Sequence, residues 1–329
     1  LKPVRWASCR GLDLTPQITA PLLILCLSAF CGGASPEIAC AAVRVATAGP
    51  AAPGSPGSST ATDSVHAGLA AGDSIRALIK AGRTAEADSA AHVLLARAER
   101  EHGAESIEAA RALDLIVDAM RSTPKSLPYA ERAVEIREKL AVHDDVENAA
   151  SWMNLGRALI QSGRSHEARE ALEKARQARE RALGPEDLGL ASILNNLGLA
   201  TMNDDEDVAA KALFERAIAI REKKVPPNEN TLARWRYTLA IVCTNTGDFS
   251  EAESSYRKAL AVYIELYGQE DTDVAGIWRD LGLLQYRMGD LISSRSNLER
   301  AVVIYRKADA DSIALADAIH YLGLTQQDT

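Results

Sequence analysis

Between residues 147 and 307 apolar side chains return at intervals of three and four, the spacing that gathers them on one face of an α-helix. Trp152, Leu155 and Leu159, with Gly156 among them, form one such set, and Ala168, Leu172 and Ala175 form the next. Two amphipathic helices joined by a short turn are therefore predicted, with Gly163 between them at a place where a positive φ costs glycine little.

The pair of sets then repeats. Leu155-Gly156, Leu197-Gly198, Leu239-Ala240, Leu281-Gly282 and Leu322-Gly323 follow one another at steps of 42, 42, 42 and 41 residues. Ala168, Ala210, Ala252 and Ser294 keep the same register, each followed four residues later by Leu172, Phe214, Tyr256 or Leu298, and then by Ala175, Ala217, Ala259 or Ala301. The turn position carries Gly163, Gly247 and Gly289, and Asn203-Asp204-Asp205 in the remaining copy, residue types that tolerate the same conformation. A period of this length means stacked units in place of a closed core. Residue size assigns the roles: Gly156, Gly198, Ala240, Gly282 and the alanines are small where two backbones approach, and the large apolar residues fill the space between successive hairpins.

This pattern resembles the tetratricopeptide repeat, whose Trp, Leu, Gly and Tyr in one helix and Ala, Phe and Ala in the next are met by Trp152-Leu155-Gly156-Leu159 and Ala168-Leu172-Ala175. The 42-residue step, with Leu-Asn-Asn-Leu-Gly at 194–198, Glu-Arg-Ala-Ile-Ala-Ile-Arg-Glu-Lys at 215–223 and Leu-Gly-Pro-Glu-Asp at 183–187, is similar to the kinesin-light-chain-like variety. The resemblance covers about residues 72–329. It implies an all-α fold, a right-handed α-solenoid of about six stacked helical hairpins plus a final unpaired helix over residues 65–329. Toward the N-terminus Gly82, Ala87, Ala91 and Gly103 match a second helix and its exit, whereas the step to Ile116 and Ala119 implies a shortened turn over Ser122–Pro128. In the last helix His320, Gln326, Gln327 and Asp328 suit a solvating cap, and Leu315, Ile319, Leu322 and Leu324 suit a chain that continues past Thr329.

The first 48 residues obey other rules. Lys2, Arg5 and Arg10 precede the apolar run 21–30, and small residues follow, the order of an export signal. A span of about ten apolar residues is too short for a bilayer that needs roughly 20. Ala39-Cys40-Ala41 offers a cleavage site, and Leu27–Cys31 approximates a lipoprotein box with Phe30 where a small residue belongs. The expected location is exported and bacterial: periplasmic, envelope-associated or secreted, with contact to a membrane only through this signal or a lipid anchor. Residues 49–64, rich in Ala, Gly, Pro, Ser and Thr, read as a flexible linker.

Charge narrows the partners. The chain carries −8 overall, and a net of +2 in the first 48 residues leaves the remainder at −10. That balance speaks against nucleic acid, whose recognition depends on neutralising phosphates. Four of the five cysteines lie in the export region; Cys243 stands alone in the repeats, in a position that reads as core, so no disulfide framework is expected. His66, His92, His102, His143, His166 and His320 are scattered, with no pair at metal-ligand spacing. The acidic run Asn203–Asp207 lacks the glycine and distal glutamate of a calcium loop. No cofactor, metal or catalytic activity is predicted.

What is left is a surface. In the family it resembles, first helices line a concave groove, and the residues facing it here include Met153, Arg157, Asn195, Arg234, Tyr237, Asn245, Arg279, Tyr286 and Arg287. This mixture of apolar, aromatic, amide and Arg groups fits protein recognition. The arginines predict an acidic peptide or protein as partner, with Asn195 and Asn245 bonding its backbone. The chain is thus expected to be a non-enzymatic scaffold. The alternative is the repeat region of a larger enzyme, such as a CHAT-domain caspase-like protease or a protein kinase.

Overall fold

The computed structural model describes residues 60–141, 144–226, 228–308 and 312–328. The export and lipid-anchor readings of residues 1–48 and most of the linker fall outside them, as does His143. Among the described residues there are thirteen α-helices, one 3-10 turn and no strand. The first helix begins at Thr60, so residues 60–64, expected to be linker, are helical instead.

The chain divides into two compact units at Arg121/Ser122. The earlier unit holds α1 (Thr60–Lys80), α2 (Thr84–His102) and α3 (Ile107–Ala119), which pack on one another. Ile75, Ala87, Ala91, Leu95, Leu113 and Ile116 are buried among them, which agrees with the sequence register of Ala87 and Ala91.

The later unit runs through α4 (Leu127–Lys139), α5 (Asp145–Gln161), α6 (Ser165–Leu183), α7 (Leu188–Asn203), α8 (Asp207–Glu222), α9 (Asn230–Thr246), α10 (Phe249–Tyr267), α11 (Thr272–Met288), α12 (Leu291–Lys307) and α13 (Ser312–Gln327). Four hairpins, α5/α6, α7/α8, α9/α10 and α11/α12, stack in order, and α13 closes on α12. The result is an all-α solenoid of helical hairpins. Pro128, expected to lie in the shortened turn, sits in the first turn of α4, where its missing N–H breaks no helical bond.

The first helices start at acidic caps, and the hairpin turns end on left-handed residues. Asp144, Asp187, Glu229 and Asp271 cap α5, α7, α9 and α11, each accepting a backbone N–H of the first turn at 2.7–3.0 Å and placing negative charge at the helix N-terminus. The hairpin turns need one left-handed residue. Gly163, Gly247 and Gly289 supply it, and in the copy without glycine Asp205 takes φ 62°.

Packing inside a hairpin revises one expectation. A Cβ at Gly198 would lie 2.9 Å from the Phe214 ring, one at Gly282 2.8 Å from Leu298, and one at Gly156 inside Leu172. The small residue of the first helix therefore admits the large side chain of its own second helix. Leu172, Phe214 and Leu298 are fully buried as a consequence, and Cys243 is buried too, its thiol pushed up to about 12, first by burial. That thiol is a core residue with no nucleophilic character at neutral pH.

Polar contacts join one hairpin to the next along the outer side. Arg169 reaches Glu206 at 2.6 Å and Asp204 at 3.2 Å, Lys211 reaches Asp248 at 2.8 Å, and Arg216 reaches Glu180 at 2.6 Å. The acidic turn at 203–207 is thus held by Arg169 of the preceding hairpin. Exposed pairs of this kind contribute roughly 0–1 kcal/mol each, so they set register more than stability.

Candidate protein-interaction groove

Within the later unit the first helices touch their counterparts: α5 meets α7, α9 meets α11 and α11 meets α13. Successive second helices have no contact of that extent, and a cleft of about 790 Å³ opens among α8, α9 and α10, lined by Glu215, Glu222, Arg236, Glu251 and Lys258. Three of the four successive first-helix pairs thus touch, α7 and α9 being the exception, whereas no successive pair of second helices does to that extent, so α5, α7, α9 and α11 lie on the closer-packed side of the stack. Their faces turned away from the second helices form its wall.

The residues read from the sequence as groove-lining differ in how free they are. Met153 and Arg157 of α5 are half-buried, and Arg157 donates to the Asn154 side-chain oxygen at 3.4 Å. Asn195 of α7 is only 8% exposed, and its Oδ1 is buried with no hydrogen-bond partner. Asn245, near the end of α9, is exposed and bonds Asp207, whose carboxyl burial raises above its usual range. Arg234 is exposed, close to Tyr267.

Tyr237 and Arg287 instead link α9 to α11, Tyr286 reaches a residue just past α13, and Arg279 pairs within α11. The Tyr237 hydroxyl donates to Asp280 at 2.5 Å, and Arg279 pairs with the same carboxylate at 2.8 Å. The Asp280 charge holds the Arg279 guanidinium well above its ordinary value. Arg287 donates to the Thr244 carbonyl of α9 at 3.2 Å and lies over the Phe249 ring. Tyr286 donates to Asp328 at 2.8 Å. The positive strip expected from four arginines is therefore weaker than the sequence suggests, because Asp280 neutralises Arg279. Asp280 was the residue that sequence reasoning missed, and its signal was available: it stands where the earlier copies have Asn154, Asn196 and Thr238.

Two family profiles, each described as a tetratricopeptide repeat, match the chain, one over residues 119–181 and 145–223 and the other over residues 232–273. The chain is a tetratricopeptide-repeat protein. Solved structures agree on the fold of this tetratricopeptide-repeat chain. BtubC (BKLC) from P. vanneervenii is 18% identical, with 68% of this chain and 91% of that one covered at a TM-score of 0.57. The apo form of RapI is 12% identical over 79% and 71%, at a TM-score of 0.63. The Q17M variant of nearly identical TPR-like repeats from a putative kinesin light chain of Podosopora anserina is 21% identical over 62% and 94%, at a TM-score of 0.50. No curated protein matches the chain. The repeats of this protein constitute a protein-interaction scaffold.

Proposed function

We propose that this tetratricopeptide-repeat chain is a non-enzymatic scaffold that holds an extended peptide or protein segment along the inner wall formed by α5, α7, α9 and α11. The observation that carries the reading is Asn195. A buried amide oxygen without a donor costs free energy, and a backbone N–H brought by a partner removes that cost. On the same helix and on the first helices before and after it, Met153, Arg157, Leu199 and Ile241 are half-buried groups that a ligand would desolvate further. Arg234 and Arg287 support an acidic partner, since neither is joined to a carboxylate among the described residues. The order of charge and apolar residues in 1–48 supports placing the scaffold at the cell envelope.

The test begins with a partner captured from native envelope by the full chain and then identified. Asn195→Leu is expected to weaken its affinity about tenfold, the loss of one net hydrogen bond to a buried group. Arg234→Ser with Arg287→Ser is expected to weaken it further and to flatten its dependence on salt. Unchanged affinity in both variants, with far-UV circular dichroism intact, contradicts the assignment of the groove.

A further inference from the structure

At three successive junctions an arginine of the second helix clasps an acid at the start of the next first helix. Arg137 meets Glu147 at 2.9 Å, Arg179 meets Asp187 at 2.7 Å, and Arg221 meets Glu229 at 2.9 Å. The arginines are 42 residues apart, so the clasp belongs to the repeat. Packing supports each of the later two: Arg179 lies across Gly189, where a side chain would collide with it, and Arg221 stacks on Trp235 at 4.9 Å.

The fourth junction breaks the rule. Its clasp position is Tyr263, buried at 4% exposure, and the acids are nevertheless present. Asp271 occupies the register of Asp187 and Glu229, and Asp273 occupies that of Glu147. Asp271 spends one oxygen capping α11, on the Asp273 N–H at 2.8 Å. The carboxyl of Asp273 is half-buried beside it.

Among the described residues no lysine or arginine pairs with Asp271 or Asp273 in place of the missing guanidinium. From α10, Tyr263 and Tyr267 stack edge to face at 5.6 Å. From α9, Asn230 donates to the Tyr267 oxygen at 2.6 Å, and Arg234 acts on Tyr267. From α12, the Tyr305 hydroxyl comes up against Gly276, and Lys307 is taken by Glu270. From α13 the contact is apolar, Ala318 meeting the cluster of Ala275 and Ala301. Burial, and after it the Asp271 charge, act on Asp273 and push its carboxyl up to about 6.

We propose that the α10–α11 junction is a proton-controlled hinge, tight when Asp273 is protonated and loosened when Asp273 gives up its proton beside Asp271. Since folding raises the proton affinity of Asp273, the stability it contributes is complete below the unfolded carboxyl range, near pH 4, and is lost as pH rises through about 6. The junctions clasped by Arg179 and Arg221 respond in the opposite sense. Burial alone would raise Glu229 and Asp187, but Arg221 with the Leu232 N–H holds Glu229 down at about 2, and Arg179 with the Leu190 N–H lowers Asp187. Their contribution is present at neutral pH and lost only as pH falls through those lowered values. The hinge also bears on the groove, because α9 and α11 are tied there by Tyr237 to Asp280 and by Arg287 to Thr244.

Hydrogen–deuterium exchange of the full chain, with rates corrected for the intrinsic effect of pH, tests the proposal. Between about pH 5 and about pH 7.5, protection of residues 266–278 is expected to fall about tenfold, an effect discounted for partial exposure. Residues 181–192 and 223–234, at clasped junctions, are expected to show no fall. Asp273→Asn, which is neutral at every pH, should hold residues 266–278 at the protected level throughout. Tyr263→Arg should flatten the profile by restoring the clasp, and where that buried change prevents folding, Asp273→Asn decides alone. A flat profile in the native chain, an equal fall at the clasped junctions, or a fall that survives in Asp273→Asn overturns the proposal.

Discussion

Phe214→Ala is expected to lower the unfolding free energy by about 3–5 kcal/mol, the cost of emptying a fully buried aromatic site that cannot collapse. The site cannot collapse because its floor is already glycine: a Cβ at Gly198 would lie 2.9 Å from the ring, so α7 approaches the ring as closely as a backbone can. Since each hairpin of a solenoid is stabilised mainly by its neighbours, the loss should appear in urea as a broadened or split transition, read by far-UV circular dichroism. The complementary change, Gly198→Ala, is expected to cost about 1–3 kcal/mol by overpacking. Joined to Phe214→Leu it should cost less than the two single changes added together, because the smaller side chain vacates the space that the new methyl needs. Strict additivity would mean that the two positions do not share a contact.

Glu147→Ala is expected to cost about 3 kcal/mol, the low end for removing one partner of a buried ion pair. Arg137 has only 4% of its side chain exposed, against 29% for Glu147, so the variant leaves a guanidinium in a poorly hydrated place, whereas water already reaches the carboxylate. Arg137→Met with Glu147→Ala should recover most of the loss, since the pair is then replaced by apolar contact and no charge stays buried. Thermal and urea unfolding of the three variants measure this directly. If the double variant were as unstable as Glu147→Ala, the arginine stem and not its charge would be what matters at that junction.

The sequence carried the architecture because each architectural rule acts on one residue type at one register. Gly163, Gly247 and Gly289 mark the turns by backbone freedom alone, and the substitution of Asp205 for glycine could be anticipated because aspartate is among the few residues that reach positive φ at low cost. Leu172 and Phe214 were legible as core from size and spacing, but their seat against Gly156 and Gly198 was not, because two residues sixteen apart share no periodic face. Pro128 reads as turn from the sequence, although the first turn of a helix accepts proline and that is where it sits.

The groove was less legible, since its chemistry depends on pairs from different repeats. Arg279 reads as a free cation until Asp280 and Tyr237 are placed beside it. Asn195 reads as an exposed amide until α7 is packed between its neighbours, after which its Oδ1 is buried and alone. Tyr263 reads as one more aromatic core residue. Its meaning lies in the arginine that three earlier copies hold there, and becomes visible only when the clasps at Arg137, Arg179 and Arg221 are seen as bonds.

Site-specific photo-crosslinking with the full chain in its native envelope tests the central claim most directly. A photoreactive residue at Leu199 or Ile241, on the inner wall, is expected to capture a protein partner, and one at Val208 or Ile292, exposed near the starts of the second helices α8 and α12, is expected to capture none. Capture from Val208 and Ile292 with none from Leu199 and Ile241 would place binding on the outer side and contradict the account.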